Sequence, residues 1–276
     1  MPVKARKEAK VLEALRAEVL EANLELVRRG LVLYTFGNAS AVSREEGLMA
    51  IKPSGVPYEK MTPADMVITD LKGNVVEGSL RPSSDLPTHA ALYRAFPQIG
   101  GVVHTHSRHA TAWAQAGREI PCFGTTHADY FAGAVPVTPV LTREEIETDY
   151  ELNTGLAIIN RMQGLEPLEY PGILVAGHAP FCWGETVTKA AHNAVVMGNW
   201  LPWLGKRSPS IRRLCPFLKP CIISITREST GRRRITGRTE TTAYSPKRFA
   251  RSSGPKAAAT ILITKNTAAI IDIAAA

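Results

Sequence analysis

Two short apolar runs constrain the layout of this chain more tightly than anything else in it. Gly101-Val102-Val103 and Gly172-Ile173-Leu174-Val175 are each opened by glycine and rich in β-branched residues, and both are too short for a buried helix. Runs of this kind read as buried strands, and a strand apolar on both faces has to be covered from both sides. The segments around them alternate between strand and helix without a regular repeat. The fold class is therefore α/β or α+β, with helices packed on a sheet. Both runs also lead into histidine: His104 and His106 after the first, His178 after the second.

The rest of the chain fills in the layers. Val11, Leu12, Leu15, Val19, Leu20, Leu24 and Leu26 recur at helical spacing between Ala5 and Arg29, and Gly30 is a helix stop. Leu31 to Tyr34 is predicted as a strand and Gly37-Asn38-Ala39-Ser40 as a tight loop. Strands are predicted at Ala50 to Lys52 and Met66 to Thr69, with Lys72-Gly73-Asn74 turning into Val75-Val76. Helices are predicted for Thr88 to Ala95, Ala110 to Ala116 and Thr188 to Met197.

The chemistry gathers at the strand ends. Alternation along a strand puts His104 and His106 on one face, close enough to share a metal. A third imidazole, His178, ends a second strand, and three nitrogen ligands with an open position suit a catalytic zinc. A lone His-x-His is more often a pair of half-exposed strand histidines, with His109 and His127 as nearby competitors, so the neighbours matter. Gly37-Asn38, Ser54-Gly55 and Ser83-Ser84 offer backbone N–H groups, hydroxyls and an amide, the inventory of a phosphate cradle. Each alone is more often a plain turn. Asp85 offers a carboxylate to the metal or to the groups around it, and a cap for the helix that follows.

The strings Gly-Asn-Ala-Ser-Ala (37–41), Ile-Lys-Pro-Ser-Gly-Val (51–56), Arg-Pro-Ser-Ser-Asp-Leu-Pro-Thr-His (81–89), Val-His-Thr-His-Ser-Arg-His-Ala (103–110) and Gly-Thr-Thr-His-Ala-Asp-Tyr-Phe (124–131) resemble the class II aldolase superfamily. Within it they are most similar to the L-ribulose-5-phosphate 4-epimerase branch, from about Val11 to Met197. The resemblance implies a three-layer α/β/α sandwich around a largely antiparallel central sheet. It further implies a homotetramer with active sites between subunits, and one zinc ion per subunit. The family's metal ligands fall on His104, His106 and His178, with Asp85 at the adjacent acidic position. Its phosphate and substrate contacts fall on Gly37, Asn38, Ser54, Gly55, Ser83 and Ser84, and its acid/base aspartate on Asp129.

The implied reaction inverts C4 of L-ribulose 5-phosphate to give D-xylulose 5-phosphate. The C4 hydrogen is not α to the C2 carbonyl, so simple proton abstraction yields no stabilised carbanion. Breaking the C3–C4 bond sends the electrons into that carbonyl, with zinc as the Lewis acid and a base taking the C4 hydroxyl proton. One acid/base is needed on each face: the aspartate matched by Asp129 and, in the family, a tyrosine near the C-terminus. A sugar-phosphate aldolase of the fuculose-phosphate type shares the zinc and phosphate motifs and is the alternative.

That tyrosine motif is missing here. From Asn199 onward there are 15 Lys/Arg against 3 Asp/Glu, whereas the first 198 residues carry 18 against 22. All the excess basicity behind the net charge of +8 therefore sits in the last quarter. Back-translating Pro216 to Glu240 with permitted codons and shifting the frame can spell PIPEALHHKHYTRKHGPKAYYGQNG, which resembles the family terminus. Residues 198–276 are thus expected to be an aberrant, frameshifted and poorly ordered tail, with 1–197 as the enzyme domain. On that reading the basic charge is no sign of nucleic-acid binding, the remaining alternative. Cys122, Cys182, Cys215 and Cys221 have neither zinc-site nor disulfide spacing. No apolar run approaches the roughly 18 residues of a membrane span and no secretory signal is seen, so a cytoplasmic protein acting on a small sugar phosphate is expected.

Overall fold

The computed structural model describes residues 3–122 and 124–205. Its centre is a seven-stranded sheet built from β1 (Asn38–Ser43), β2 (Leu48–Ile51), β3 (Val67–Asp70), β4 (Val75–Glu77), β5 (Gly101–His104), β6 (Gly172–Leu174) and β7 (Pro180–Gly184). The order across the sheet is β4-β3-β2-β1-β5-β7-β6, and every neighbouring pair runs antiparallel. Helices α1 (Val3–Arg28), α3 (Arg108–Gln115) and α6 (Val187–Gly205) cover one face. Helices α2 (Leu86–Ala95) and α5 (Arg143–Arg161) cover the other, and a short α4 (Thr125–Ala128) lies in the connection between α3 and α5. This is the expected three-layer sandwich.

Strand alternation sorts the two cores. In β2, Met49 and Ile51 pack with α2 and α5, while Ala50 packs with α1. In β7, Phe181 and Trp183 join the α2/α5 side and Cys182 the other. Along α1, Leu12, Leu15, Val19, Ala22 and Leu26 are all buried, at the spacing of one helical face. Burying each such leucine or valine stabilises the fold by about 1.5–3 kcal/mol before entropy is counted. The helix is also pinned by side chains. Asn23 accepts the Ala39 N–H at 2.9 Å, and Arg16 donates to Ala64 O at 3.1 Å and to Met66 O, with Glu77 at 2.7 Å. Gly101 has to be glycine, because a Cβ there would lie 2.2 Å from Val187 Cα, where α6 crosses β5.

Several expectations are corrected. Leu31 to Tyr34 forms no strand: Leu33 and Tyr34 point to solvent, and Tyr34 has φ +51°, a left-handed conformation no strand contains. Conversely, only Gly37 of the expected Gly-Asn-Ala-Ser loop turns. Asn38 already opens β1, where Ala39 and Ala41 allow close approach to α1 and Ser40 bonds to His89 and Tyr93 of α2. Helix α5 and strand β7 were not foreseen. The first is announced by a reciprocal cap between Thr142 and Glu145, the second by a run that includes Phe181-Cys182-Trp183. Helix α6 runs from Val187 to Gly205, and residues 206–276 of the expected tail lie outside the described residues.

Candidate functional site

His104 closes β5, in register with Asn38 of β1 and Phe181 of β7. Its ring stacks on Phe181, with centroids 4.2 Å apart and planes at 22°. Its Nδ1–H donates to the carbonyl oxygen of Pro180 at 3.0 Å. Since a carbonyl only accepts, the bond holds the proton on Nδ1 and leaves the Nε2 lone pair free. That Nε2 lies 3.0 Å from Nε2 of His106, just beyond the strand. His178 stands in the turn between β6 and β7, where its N–H donates to Val175 O at 3.0 Å and the preceding Gly177 N–H to Ala114 O at 2.9 Å. Its ring centroid is 4.8 Å from that of His104 and 5.0 Å from that of His106. Ligand nitrogens of all three lie within 4.8 Å of one another.

Burial keeps these imidazoles neutral. His104 is pushed down to about 3 by desolvation and then by His106 beside it. His178 falls to about 4, again through burial first and the two neighbouring rings second. His106 is lowered by burial, against the opposing pull of Asp85. Nδ1 of His178 is buried and has no hydrogen-bond partner among the described residues. Three neutral nitrogens converging with unspent lone pairs fit a zinc-like divalent cation, and His104, His106 and His178 would hold it.

Gly37, Asn38, Ser54, Gly55, Ser83, Ser84 and Asp85 line one cavity of about 320 Å³ together with the three histidines. The two serine loops are laced side by side: Ser54 N–H donates to Arg81 O at 2.8 Å and Ser83 N–H to Lys52 O at 2.9 Å. Gly37 allows its loop to close on the end of β5 at His104. It has φ +84°, and a Cβ there would meet His104 O at 2.9 Å and Val32 Cγ1 at 2.8 Å. Asn38 Nδ2 donates to Asp85 Oδ2 at 2.6 Å, aiming the carboxylate from the start of α2 into the cavity. Asp85 thus shares the site with the imidazoles, although the tight nitrogen cluster is made by the histidines alone among the described residues.

Asp129 stands apart. It follows α4, is exposed and does not line the cavity.

Sequence reasoning missed five lining residues: Thr35, Phe36, Lys52, Tyr150 and Glu151. Lys52 is the informative one. Only 2% exposed, it donates to Thr35 O at 3.2 Å and Pro53 O at 3.3 Å and sits over the Tyr58 ring at 4.7 Å. Burial pulls it down to about 8, Asp85 pulling the other way. It is the one Lys or Arg among the described lining residues, beside the serine loops. Tyr150 and Glu151 enter because α5 kinks at Asp149, with φ −143° and ψ 76°. Burial raises the Tyr150 hydroxyl above its usual range, and its ring lies 5.9 Å from that of His178.

Residues 17–202 match the family model described as the class II aldolase and adducin N-terminal domain. Among solved structures, an L-fuculose 1-phosphate aldolase is 24% identical with a TM-score of 0.61, over 77% of this chain and 95% of that one. YgbL from Klebsiella pneumoniae is 24% identical at TM-score 0.57, over 74% of this chain and 98% of its own. YgbL from Escherichia coli is 25% identical at TM-score 0.56, with 72% and 93% covered. The likenesses agree with the sandwich described above. Among the described residues no helix is long and apolar enough to cross a membrane.

Proposed function

Since the chain belongs to the class II aldolase and adducin N-terminal domain family, we propose that its body is an L-ribulose-5-phosphate 4-epimerase domain. The observation that carries a sugar-phosphate enzyme is the shared cavity. Three neutral imidazoles face one end of a space that Lys52, Ser54 and Ser83 make hospitable to a phosphate. The N-terminus of α2 adds a favourable dipole beside Ser83 and Ser84. Within the family, the His127-Ala128-Asp129-Tyr130 string and the terminus recoverable in a shifted frame favour the epimerase.

The chain's own groups then have these tasks. Lys52 and the serine loops hold the phosphate, and Asn38 orients Asp85 against the reacting end. A base takes the C4 hydroxyl proton while the C3–C4 bond breaks. The bonding pair passes to the C2 carbonyl, giving an enediolate and glycolaldehyde phosphate. When bound, a divalent ion at the three histidines supplies positive charge next to the growing enediolate. The held aldehyde turns, C3 attacks its other face, and a proton returns to the new hydroxyl.

Asp129 serves as the acid/base of one face. Its exposed position outside its own cavity suits service to the site of a neighbouring copy in a homotetramer. The partner acid on the other face is the tyrosine this chain lacks. That absence favours a second reading, a class II sugar-phosphate aldolase, in which cleavage runs and re-addition to the opposite face fails.

Product analysis decides. Purified protein loaded with zinc is given L-ribulose 5-phosphate, and the products are separated. D-xylulose 5-phosphate in excess over glycolaldehyde phosphate supports the epimerase; stoichiometric aldehyde without epimer, persisting when the terminus that the shifted frame can spell is restored, establishes the aldolase instead.

A further inference from the structure

Phe36 contributes the one wholly apolar side chain among the described residues that line the cavity. It is also 54% exposed, so it stands at the rim. The ring is held there by its backbone. Phe36 N–H donates to Leu33 O at 2.9 Å, and the Tyr58 hydroxyl reaches Phe36 O at 3.1 Å and Gly37 O at 2.8 Å. On the preceding residue, Thr35 O accepts from Lys52. A side chain so exposed on a backbone so firmly tied is displayed rather than merely left out. Its centroid is 6.0 Å from that of His106, with planes at 39°. Tyr34, 88% exposed in a left-handed conformation, meets Phe36 edge-on at 6.2 Å. An aromatic rim thus adjoins the imidazoles, on a loop that also carries Thr35 and Gly37 of the cavity wall.

Resting on the epimerase reading, the geometry points to Phe36 as the wall that retains the aldehyde fragment between cleavage and re-addition. An epimerase, unlike an aldolase, has to keep a two-carbon aldehyde from leaving while its carbonyl turns. Hydrogen-bonding walls alone hinder that turn, because every rotation exchanges partners. An apolar ring packs against the C–H faces equally well before and after the turn and keeps water away. Tyr34 meets the ring edge-on from outside the cavity. Phe36 accordingly sets the partition between epimer and escaped aldehyde, and with it the preference for short aldehyde fragments.

The test uses the full chain, loaded with zinc, and L-ribulose 5-phosphate, with free aldehyde trapped by a hydrazine reagent and epimer measured alongside. Phe36→Ala is expected to raise the ratio of trapped aldehyde to epimer roughly tenfold, the factor that about 50 Å² of lost apolar contact corresponds to. Phe36→Leu should fall between, and Phe36→Trp should restore retention, with zinc content and sedimentation as in the parent. An unchanged ratio in a parent that epimerises overturns the inference. So does dissociation of an oligomer by Phe36→Ala, which would make the ring a contact between copies. Where the parent releases only aldehyde, the ratio is read in the chain whose shifted-frame terminus is restored; aldehyde alone there too defeats the epimerase reading itself, and this inference falls with it. If the alanine variant does not accumulate, Phe36→Leu carries the decision through its intermediate ratio.

Discussion

His104 gives its Nδ1–H to the carbonyl oxygen of Pro180 at 3.0 Å, so the strand next to β5 also fixes the tautomer of an imidazole in the three-histidine cluster. The bond requires β5 and β7 to be paired in their observed register, with His104 opposite Phe181. A one-residue slip would turn the imidazole to the other face of the sheet. The site is therefore a property of the sheet rather than of a flexible loop.

Replacing His104 with Asn is expected to abolish stoichiometric metal binding, as is His178→Asn, with the fold retained. Metal per chain by elemental analysis, alongside a thermal melt, measures both. The metal-free parent carries a pH signature as well. His104 and His178 titrate near 3 and 4 in the folded chain but at about 6.5 once unfolded. Between those values the unfolded chain binds more protons, so metal-free stability should fall as the pH drops from about 6.5 toward 4. A melting temperature flat across that window, metal absent, would show the imidazoles to be solvated.

Lys52 makes a prediction at the opposite end of the pH scale. Its folded value of about 8 lies below its ordinary one, so its charge is lost as pH rises through 8. Phosphate affinity should weaken over that interval, seen as a rise in KM with kcat less affected. Stability moves the other way. Between about 8 and 10.4 the unfolded chain holds the extra proton, and the folded protein gains stability with pH. Lys52→Met should remove the KM dependence near pH 8 while leaving metal content intact. A variant with the parental pH profile would show that Lys52 does not touch the phosphate.

Asp129 allows the assembly to be tested by function. If it serves a neighbour's cavity, Asp129→Asn and His104→Asn chains, each inactive alone, should recover activity when unfolded and refolded together. With random mixing, about a quarter of sites would then pair an intact metal centre with an intact aspartate. Mixtures as inactive as their components would place Asp129 outside the chemistry or within its own chain's site.

The three-histidine cluster was legible because two apolar runs end together, bringing His104 at the end of β5, His106 just beyond it and His178 in the turn after β6 to one point. The serine and glycine loops were legible as a group that lines the histidines' cavity, and the sandwich as a consequence of strands needing cover on both faces. Lys52 was not, because a lysine one residue past a strand ordinarily extends into water, and only the packing of Tyr58 and the Thr35 carbonyl encloses it. Tyr150 and Glu151 escaped notice because a kink at Asp149 decides which way they face. Small residues misled at Ala39 and Ser40, where Ala39 is packed on the α1 side of the sheet and Ser40 bonds to His89 and Tyr93 of α2, rather than either making a turn. Asp129 was matched by its motif alone, and the fold leaves it exposed and outside the cavity.

The last prediction concerns residues 198–276, proposed here to be a frameshifted replacement for the family's closing segment. Rebuilding the gene from codon 198 to encode the terminus that the shifted frame can spell would install a Tyr-Tyr-Gly-Gln motif and delete most of the local positive charge. Restoring one general acid typically brings about 10²–10⁴ in rate, and the gain should fall mainly on epimer formation, because cleavage needs only one face. The ratio of epimer to aldehyde should therefore climb with the rate. Changing the restored pair to phenylalanines should return both to the parental values. If the repaired chain gains no activity while binding zinc normally, the tyrosine is not the missing acid. If instead the existing chain binds DNA with a steep salt dependence that truncation after Met197 removes, the basic segment has a function of its own.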